Sequence, residues 1–112
     1  MLAIPTPVSA ATFERQVTSS PVPVLVDFWA PWCSTCKQLM PSVQGLSEQR
    51  GDRLRVVTVD IADNETLAQQ FGVLSVPCLL VIQDGRELGR GYGRNALAEL
   101  SPILDRVLAG AA

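Results

Sequence analysis

The segment that decides the fold spans residues 26–41 and reads Val-Asp-Phe-Trp-Ala-Pro-Trp-Cys-Ser-Thr-Cys-Lys-Gln-Leu-Met-Pro. Its first part belongs to a run over 22–29 that is apolar except for Pro23 and Asp27, which is typical of a strand covered on both faces. After the two cysteines, apolar residues recur at spacings of three and four, which predicts a helix over 34–49. The segment therefore predicts a core strand that passes directly into a helix.

Two cysteines, Cys33 and Cys36, lie where this strand passes into this helix. Cys33 falls near the N-cap, where free backbone N–H groups and the positive end of the helix dipole stabilise a thiolate. A cysteine that titrates near 8.5 can reach a pKa of about 7 or below in such a place. Two intervening residues let the second sulfur reach back and close a small disulfide ring, which leaves Cys36 as the buried resolving thiol.

Apolar periodicity and turn residues divide the rest of the chain into alternating elements. We expect helices over 10–17 (capped by Ser9), over 64–71 and from Asn95 onward, and strands over 54–60, 76–82 and 87–92. Pro41 should kink the helix over 34–49, and Pro102 should fit only near the first turn of the last helix, which would then start after Asn95. The order of elements predicts an α/β fold, a three-layer α/β/α sandwich around a mixed sheet, in one domain of residues 1–112.

Composition excludes several classes of function. The chain has 112 residues, 47% hydrophobic and 18% charged, with a net charge of −2 and no basic run, which disfavours nucleic-acid and anionic-membrane binding. Its lack of histidine excludes Ser-His-Asp, Cys-His and HExxH sites. No apolar stretch approaches the ~20 residues of a membrane span. The start of the chain lacks a basic region, and Pro5 and Pro7 interrupt any apolar one, so we expect no signal peptide and a cytoplasmic location.

Residues 28–37, followed by Pro41, resemble the active-site segment of thioredoxin. The stretch 73–78 (Val-Leu-Ser-Val-Pro-Cys) falls where thioredoxins carry a cis-proline loop, and Gly93 matches the glycine that closes their substrate groove. The resemblance extends over nearly the whole chain. It implies a thioredoxin fold and the activity of a protein dithiol–disulfide oxidoreductase.

The resemblance also implies a role for each matching residue. Cys33 would attack a protein disulfide, Cys36 would resolve the mixed disulfide, and Asp27, with its pKa raised by burial, would assist proton transfer. Trp29 would shield the site, and a substrate groove would be bordered by Trp32, Val76, Pro77, Tyr92 and Gly93. The protein would need no bound cofactor or metal. It would act as a monomer on protein disulfides and receive electrons from a flavoprotein thioredoxin reductase.

The chain departs from the thioredoxin pattern at three places. Ser34-Thr35 replaces the usual Gly-Pro between the cysteines, which adds a backbone donor and two hydroxyls near sulfur. These donors favour the thiolate, so we expect a less reducing protein than ordinary thioredoxin. Thr58 replaces a lysine that the family carries near the buried aspartate. Without that cation, the pKa of Asp27 should be raised more than in thioredoxins that have the lysine.

A third departure is Cys78, which follows the predicted cis-proline where the family usually has threonine. Three interpretations remain open for it: a small buried hydrophobic residue, an auxiliary thiol near the redox pair, or a third ligand beside Cys33 and Cys36 in a metal or iron–sulfur site. The alternatives to an oxidoreductase are accordingly an iron–sulfur or metal-binding scaffold and a docking module without turnover. Three thiols without imidazole disfavour zinc, which usually takes four ligands.

Overall fold

The computed structural model describes residues 5–110, and its centre is a five-stranded mixed sheet. The strands are β1 (Thr6–Pro7), β2 (Val24–Trp29), β3 (Arg55–Asp60), β4 (Cys78–Gln83) and β5 (Arg86–Tyr92), in the spatial order β1-β3-β2-β4-β5. The first three strands run parallel, β4 runs antiparallel to β2, and β5 runs antiparallel to β4.

Helices cover both faces of this sheet. They are α1 (Ser34–Arg50), α2 (Glu65–Gln70) and α3 (Ala96–Gly110), together with a π-helical turn over Glu14–Thr18 and two 3-10 turns over Gly51–Arg53 and Gly93–Asn95. The predicted three-layer sandwich around a mixed sheet is therefore confirmed.

Successive residues of β2 enter two different cores. Val24, Val26 and Phe28 pack on one face with residues of the π-helical turn and α2, and we call this the α2-side core. Leu25 packs on the opposite face with residues of α1 and α3, and we call this the α1-side core. Both faces are buried, and for this reason the sequence of β2 is apolar without alternation, except at Asp27.

The N-terminal part of the chain differs from the prediction. A helix over 10–17 capped by Ser9 is not formed; the π-helical turn starts at Glu14, and Ser9 and Thr12 close a separate turn. The N–H of Ala10 donates to Asn64 Oδ1, so side chains satisfy backbone groups that a helix would otherwise use. The two-residue strand β1, which pairs with β3, was not predicted.

Proline affects two elements differently from what the sequence predicted. β4 begins at Cys78 rather than at residue 76, since Pro77 has no N–H to donate to a ladder. Pro102 lies inside α3, which starts at Ala96 directly after Asn95, so the prediction that this proline fits only near the first turn of the helix is wrong. Pro102 and Ala98, whose carbonyl loses its helical partner, are both exposed, and water can bond that carbonyl.

A bulge in β5 decides which of its side chains share a face. The register shifts between Val81, which pairs with Gly89, and Ile82, which pairs with Glu87, so Leu88 has no partner in β4. As a result Glu87, Arg90 and Tyr92 all lie on the face of the α2-side core.

The glycines of β5 lie on the opposite face, against α3. A Cβ on Gly91 would stand 2.6 Å from the carbonyl oxygen of Ala96. The absence of side chains at this point allows α3 to approach the sheet closely.

Candidate active site

The segments predicted to form the site meet at one end of the sheet. The parallel strands β2 and β3 end there, β4 begins there, and β5 ends there. The N–H of Gly93 donates to the carbonyl of Pro77 at 2.9 Å, which joins the loop after β5 to the loop before β4. The turn that carries Cys33 follows β2 at the same end.

Cys33 and Cys36 form a disulfide at the start of α1, with their Cα atoms 5.3 Å apart. Cys33 is the N-cap residue in an extended conformation, and its Sγ accepts a hydrogen bond of 3.1 Å from the N–H of Cys36. Cys36 is 2% exposed, whereas Cys33 is half-buried. The predicted position at the helix N-cap is therefore confirmed, and Cys33 is the cysteine that a partner can reach.

Asp27 lies in β2, on the face that contributes Leu25 to the α1-side core, and is only 1% exposed. Within residues 5–110, no group donates a hydrogen bond to its Oδ1. Burial raises the pKa of Asp27 from its ordinary value of 3.8 to about 7, as the sequence predicted from its apolar surroundings.

The strands on either side of Asp27 place no charge beside it. Thr58 of β3 and Leu79 of β4 are its neighbours in the sheet, and Thr58 is itself buried. Burial is accordingly the cause of the raised pKa, with no cation to oppose it. The expectation that threonine in place of lysine shifts this carboxyl further upward than in relatives stays a prediction.

The predicted groove residues lie on loops and at the end of β5, at this end of the sheet. Trp32, next to the disulfide, is 71% exposed, and the Val76–Pro77 peptide bond is cis. None of the backbone hydrogen bonds of the described turns and loops uses Val76, so its N–H and carbonyl are available to an extended peptide. Tyr92 and Gly93 follow at the end of β5, both half-buried.

Sequence reasoning missed two residues near the groove. Leu74, on the loop before Pro77, is 89% exposed. No local pattern distinguishes it, because Val73 and Val76 beside it are apolar as well. Arg90 donates a hydrogen bond to the Tyr92 hydroxyl at 2.9 Å, and no local pattern marks this contact.

Cys78 is fully buried with a free thiol in the α2-side core, where it faces Phe28 and Tyr92 across the neighbouring strands. Burial raises the pKa of this thiol, against the opposing effect of a hydrogen bond from Tyr92. Because α1 and Asp27 lie on the other face of the sheet, the packing gives no support to the expectation that this sulfur approaches the redox pair.

Two further observations bear on the class of protein. Among the side chains of residues 5–110, no group of three or more cysteine, aspartate or glutamate residues is arranged to hold a metal ion. In the same part of the chain, no helix combines the length and the apolar character needed to cross a bilayer.

Comparison with known proteins gives a consistent result. The family model for thioredoxin matches residues 5–106 of this chain. Thioredoxin 1 from Synechococcus elongatus is 36% identical over 96% of this chain and 100% of its own length. A thioredoxin from Bacillus subtilis is 42% identical over 69% of this chain and 77% of its own length.

A solved structure agrees at the level of the fold. The crystal structure of a thioredoxin from Malassezia sympodialis superimposes with a TM-score of 0.84 at 24% identity, covering 96% of this chain and 93% of that one. The architecture shared with this structure is the predicted thioredoxin fold.

Proposed function

The chain belongs to the thioredoxin family and is a protein dithiol–disulfide oxidoreductase, and we propose that Cys33, Cys36 and Asp27 carry its catalysis. The observation that supports this assignment is the disulfide at the start of α1, in which the reachable Cys33 accepts a hydrogen bond from a backbone N–H. The same N–H stabilises a thiolate on Cys33 when the pair is reduced.

Reduction of a substrate proceeds in two exchanges. The Cys33 thiolate attacks one sulfur of a protein disulfide, which forms a mixed disulfide and releases the other substrate sulfur as a thiolate. Cys36 then loses its proton and attacks Cys33 Sγ, which forms the Cys33–Cys36 disulfide and releases the second substrate sulfur. Two electrons pass from the protein to the substrate, whose two thiolates each take up a proton.

Asp27 is the group that we assign to the proton of Cys36. A carboxyl whose pKa is about 7 can accept a proton near neutral pH and return it in the reverse reaction. An ordinary, exposed aspartate would be too weak a base for this task. Its place on the α1 face of β2, the face against which α1 packs, supports this role.

We further propose that Trp32, Val76, Pro77, Tyr92 and Gly93 border the groove that binds the substrate. The free backbone groups of Val76 would pair with an extended segment of the substrate, as an added strand does. Leu74 extends this surface. A contiguous exposed apolar patch commonly marks a contact with a partner, and Leu74 would add to the apolar surface that Trp32 exposes.

The remaining partners follow from the chemistry of the family. We propose that a flavoprotein thioredoxin reductase returns electrons to the pair, and that the protein acts as a monomer in one domain of residues 1–112 without a bound cofactor. A reducing compartment, the cytoplasm, suits a pair that must be reduced before each cycle. There the protein would take part in electron transport and redox homeostasis. Cys78 would have no part in the cycle.

Reduction of insulin disulfides by dithiothreitol tests the assignment of the two cysteines. We expect the wild-type protein to accelerate the reaction, the Cys33→Ser variant to be inactive, and the Cys36→Ser variant to accumulate mixed disulfides with substrate through Cys33. Equal rates for wild type and Cys33→Ser would contradict the roles proposed here. A Cys36→Ser variant that binds partners without trapping them would instead indicate a docking module.

A further inference from the structure

Arg90 uses every N–H of its guanidinium. The Nε and Nη2 groups each donate to one carboxylate oxygen of Glu87 at 2.7 Å. Nη2 also donates to the carbonyl of Phe71 at 2.7 Å, and Nη1 donates to the carbonyl of Gly72 at 3.3 Å and to the Tyr92 hydroxyl at 2.9 Å. These five hydrogen bonds match the five donors of an arginine, and the fixed geometry of the guanidinium holds their acceptors in one arrangement.

Two of these acceptors lie where the loop before β4 begins. Phe71 and Gly72 directly follow α2, and the next five residues, 73–77, lead to the cis-proline. The Phe71 ring packs against Phe13 and Phe28 at centroid distances of 5.1 and 6.1 Å, which joins this end of α2 to the α2-side core. Arg90 therefore ties the first part of the loop to β5.

The third acceptor, Tyr92, is one of the residues proposed to border the groove. It pairs with Cys78 across the sheet, directly after Pro77, and its chain neighbour Gly93 donates to the Pro77 carbonyl. The far end of the loop is thus tied to β5 through the backbone, and its near end through Arg90.

Glu87 completes the arrangement. The bulge at Leu88 places Glu87 and Arg90 on one face of β5, where a regular strand would direct residues three apart to opposite faces. The ion pair, at 2.7 Å, holds the guanidinium through its Nε and Nη2 groups.

We propose that Arg90 is a positioning residue for protein substrates: it holds residues 73–77 at a set distance from Tyr92 and so keeps the groove in its binding shape. This inference rests on the proposed function. None of the five hydrogen bonds of Arg90 reaches the disulfide, so Arg90 should affect the binding of a protein substrate and not the exchange at sulfur. Lysine should replace it poorly, since an ammonium has three donors and no planar fork.

The test compares Arg90→Met, Arg90→Lys and the matched control Arg86→Met in two assays. Arg86 is the exposed first residue of β5, so its replacement removes the same charge and leaves the network intact. One assay gives kcat and KM for insulin; the other gives the rate with a small aromatic disulfide, which does not need the groove. We expect Arg90→Met to raise KM for insulin about tenfold with kcat and the small-disulfide rate within about twofold of wild type. The KM of Arg90→Lys for insulin should lie between those of wild type and Arg90→Met, and Arg86→Met should match wild type in both assays.

Several results would overturn the inference. An unchanged KM for insulin in a folded Arg90→Met protein would overturn it. An equal loss of activity with insulin and with the small disulfide would overturn it too, because a general structural defect affects large and small substrates alike. If Arg90→Met does not fold, Arg90→Lys decides by the same comparison. A wild-type protein that does not reduce insulin would instead refute the proposed function, and this is seen before any variant is measured.

Discussion

Replacement of Asp27 with asparagine should stabilise the oxidised protein above neutral pH and leave its stability in acid almost unchanged. Asp27 is 1% exposed, and burial raises its pKa from 3.8 to about 7. The folded protein therefore holds the proton more tightly than the unfolded chain does. For a carboxyl shifted in this direction, stability is greatest below the unfolded pKa and is lost as the pH rises through the folded pKa.

The size of the effect follows from the shift. At 1.36 kcal/mol per pKa unit, the change from 3.8 to about 7 corresponds to roughly 4 kcal/mol. Domains of this size have a total free energy of unfolding of about 5–15 kcal/mol, so the ionisation of Asp27 removes a large part of it. The wild-type protein should lose that stability between about pH 4 and about pH 8, and Asp27→Asn should keep it.

Urea unfolding of the oxidised protein at several pH values within that range measures the difference. Asp63→Asn is the matched control, since Asp63 is an exposed aspartate in a turn. We expect the control to follow the wild-type curve and Asp27→Asn to separate from it as the pH rises. Parallel curves for wild type and Asp27→Asn at every pH would show that Asp27 titrates as an ordinary aspartate, and the proton-transfer role proposed for it would then lose its basis.

Four other substitutions have expected outcomes. Gly91→Ala should destabilise the protein by about 1–3 kcal/mol, because the new Cβ would stand 2.6 Å from the Ala96 carbonyl oxygen. Gly45→Ala should stabilise the protein by about 0.5–1 kcal/mol, because Gly45 lies inside α1 with open space around it. Thermal unfolding measures both changes. Thr35→Pro removes a backbone donor near the sulfurs, and we expect it to lower the reduction potential by about 30 mV, measured by equilibration with glutathione. A wild-type reduction potential at or below about −270 mV would contradict that reasoning. Cys78→Ala should lower the stability and leave insulin reduction unchanged, and a slower reaction in the folded variant would make Cys78 an auxiliary thiol.

The sequence predicted those parts of the fold whose signals are local. The bounds of β2 and α1 lie within two residues of the expected ones, because a continuous apolar run and a helical period are both visible in a short window. The positions of Cys33, Cys36 and Asp27 follow from the same segment, since all three lie within ten residues of one another.

Features that depend on distant parts of the chain were not predicted. β1 has two residues, and its pairing with Val57 and Thr58 exists only because β3 offers a free edge at that point. The role of Arg90 depends on the bulge at Leu88 and on carbonyls some twenty residues earlier, neither of which leaves a pattern near Arg90. Leu74 was missed because the sequence does not show whether a leucine side chain is buried or exposed, and this one is exposed.

The two outer strands of the described sheet have a consequence for self-association. One edge is the short strand β1, which ends at Pro7, and proline offers no N–H to a further strand. The other edge, β5, is bulged at Leu88, and an irregular edge is a poor template for the flat pairing that starts aggregation. If Val76 binds extended chains as proposed, the two outer strands still give a second copy of the protein little regular backbone to pair with.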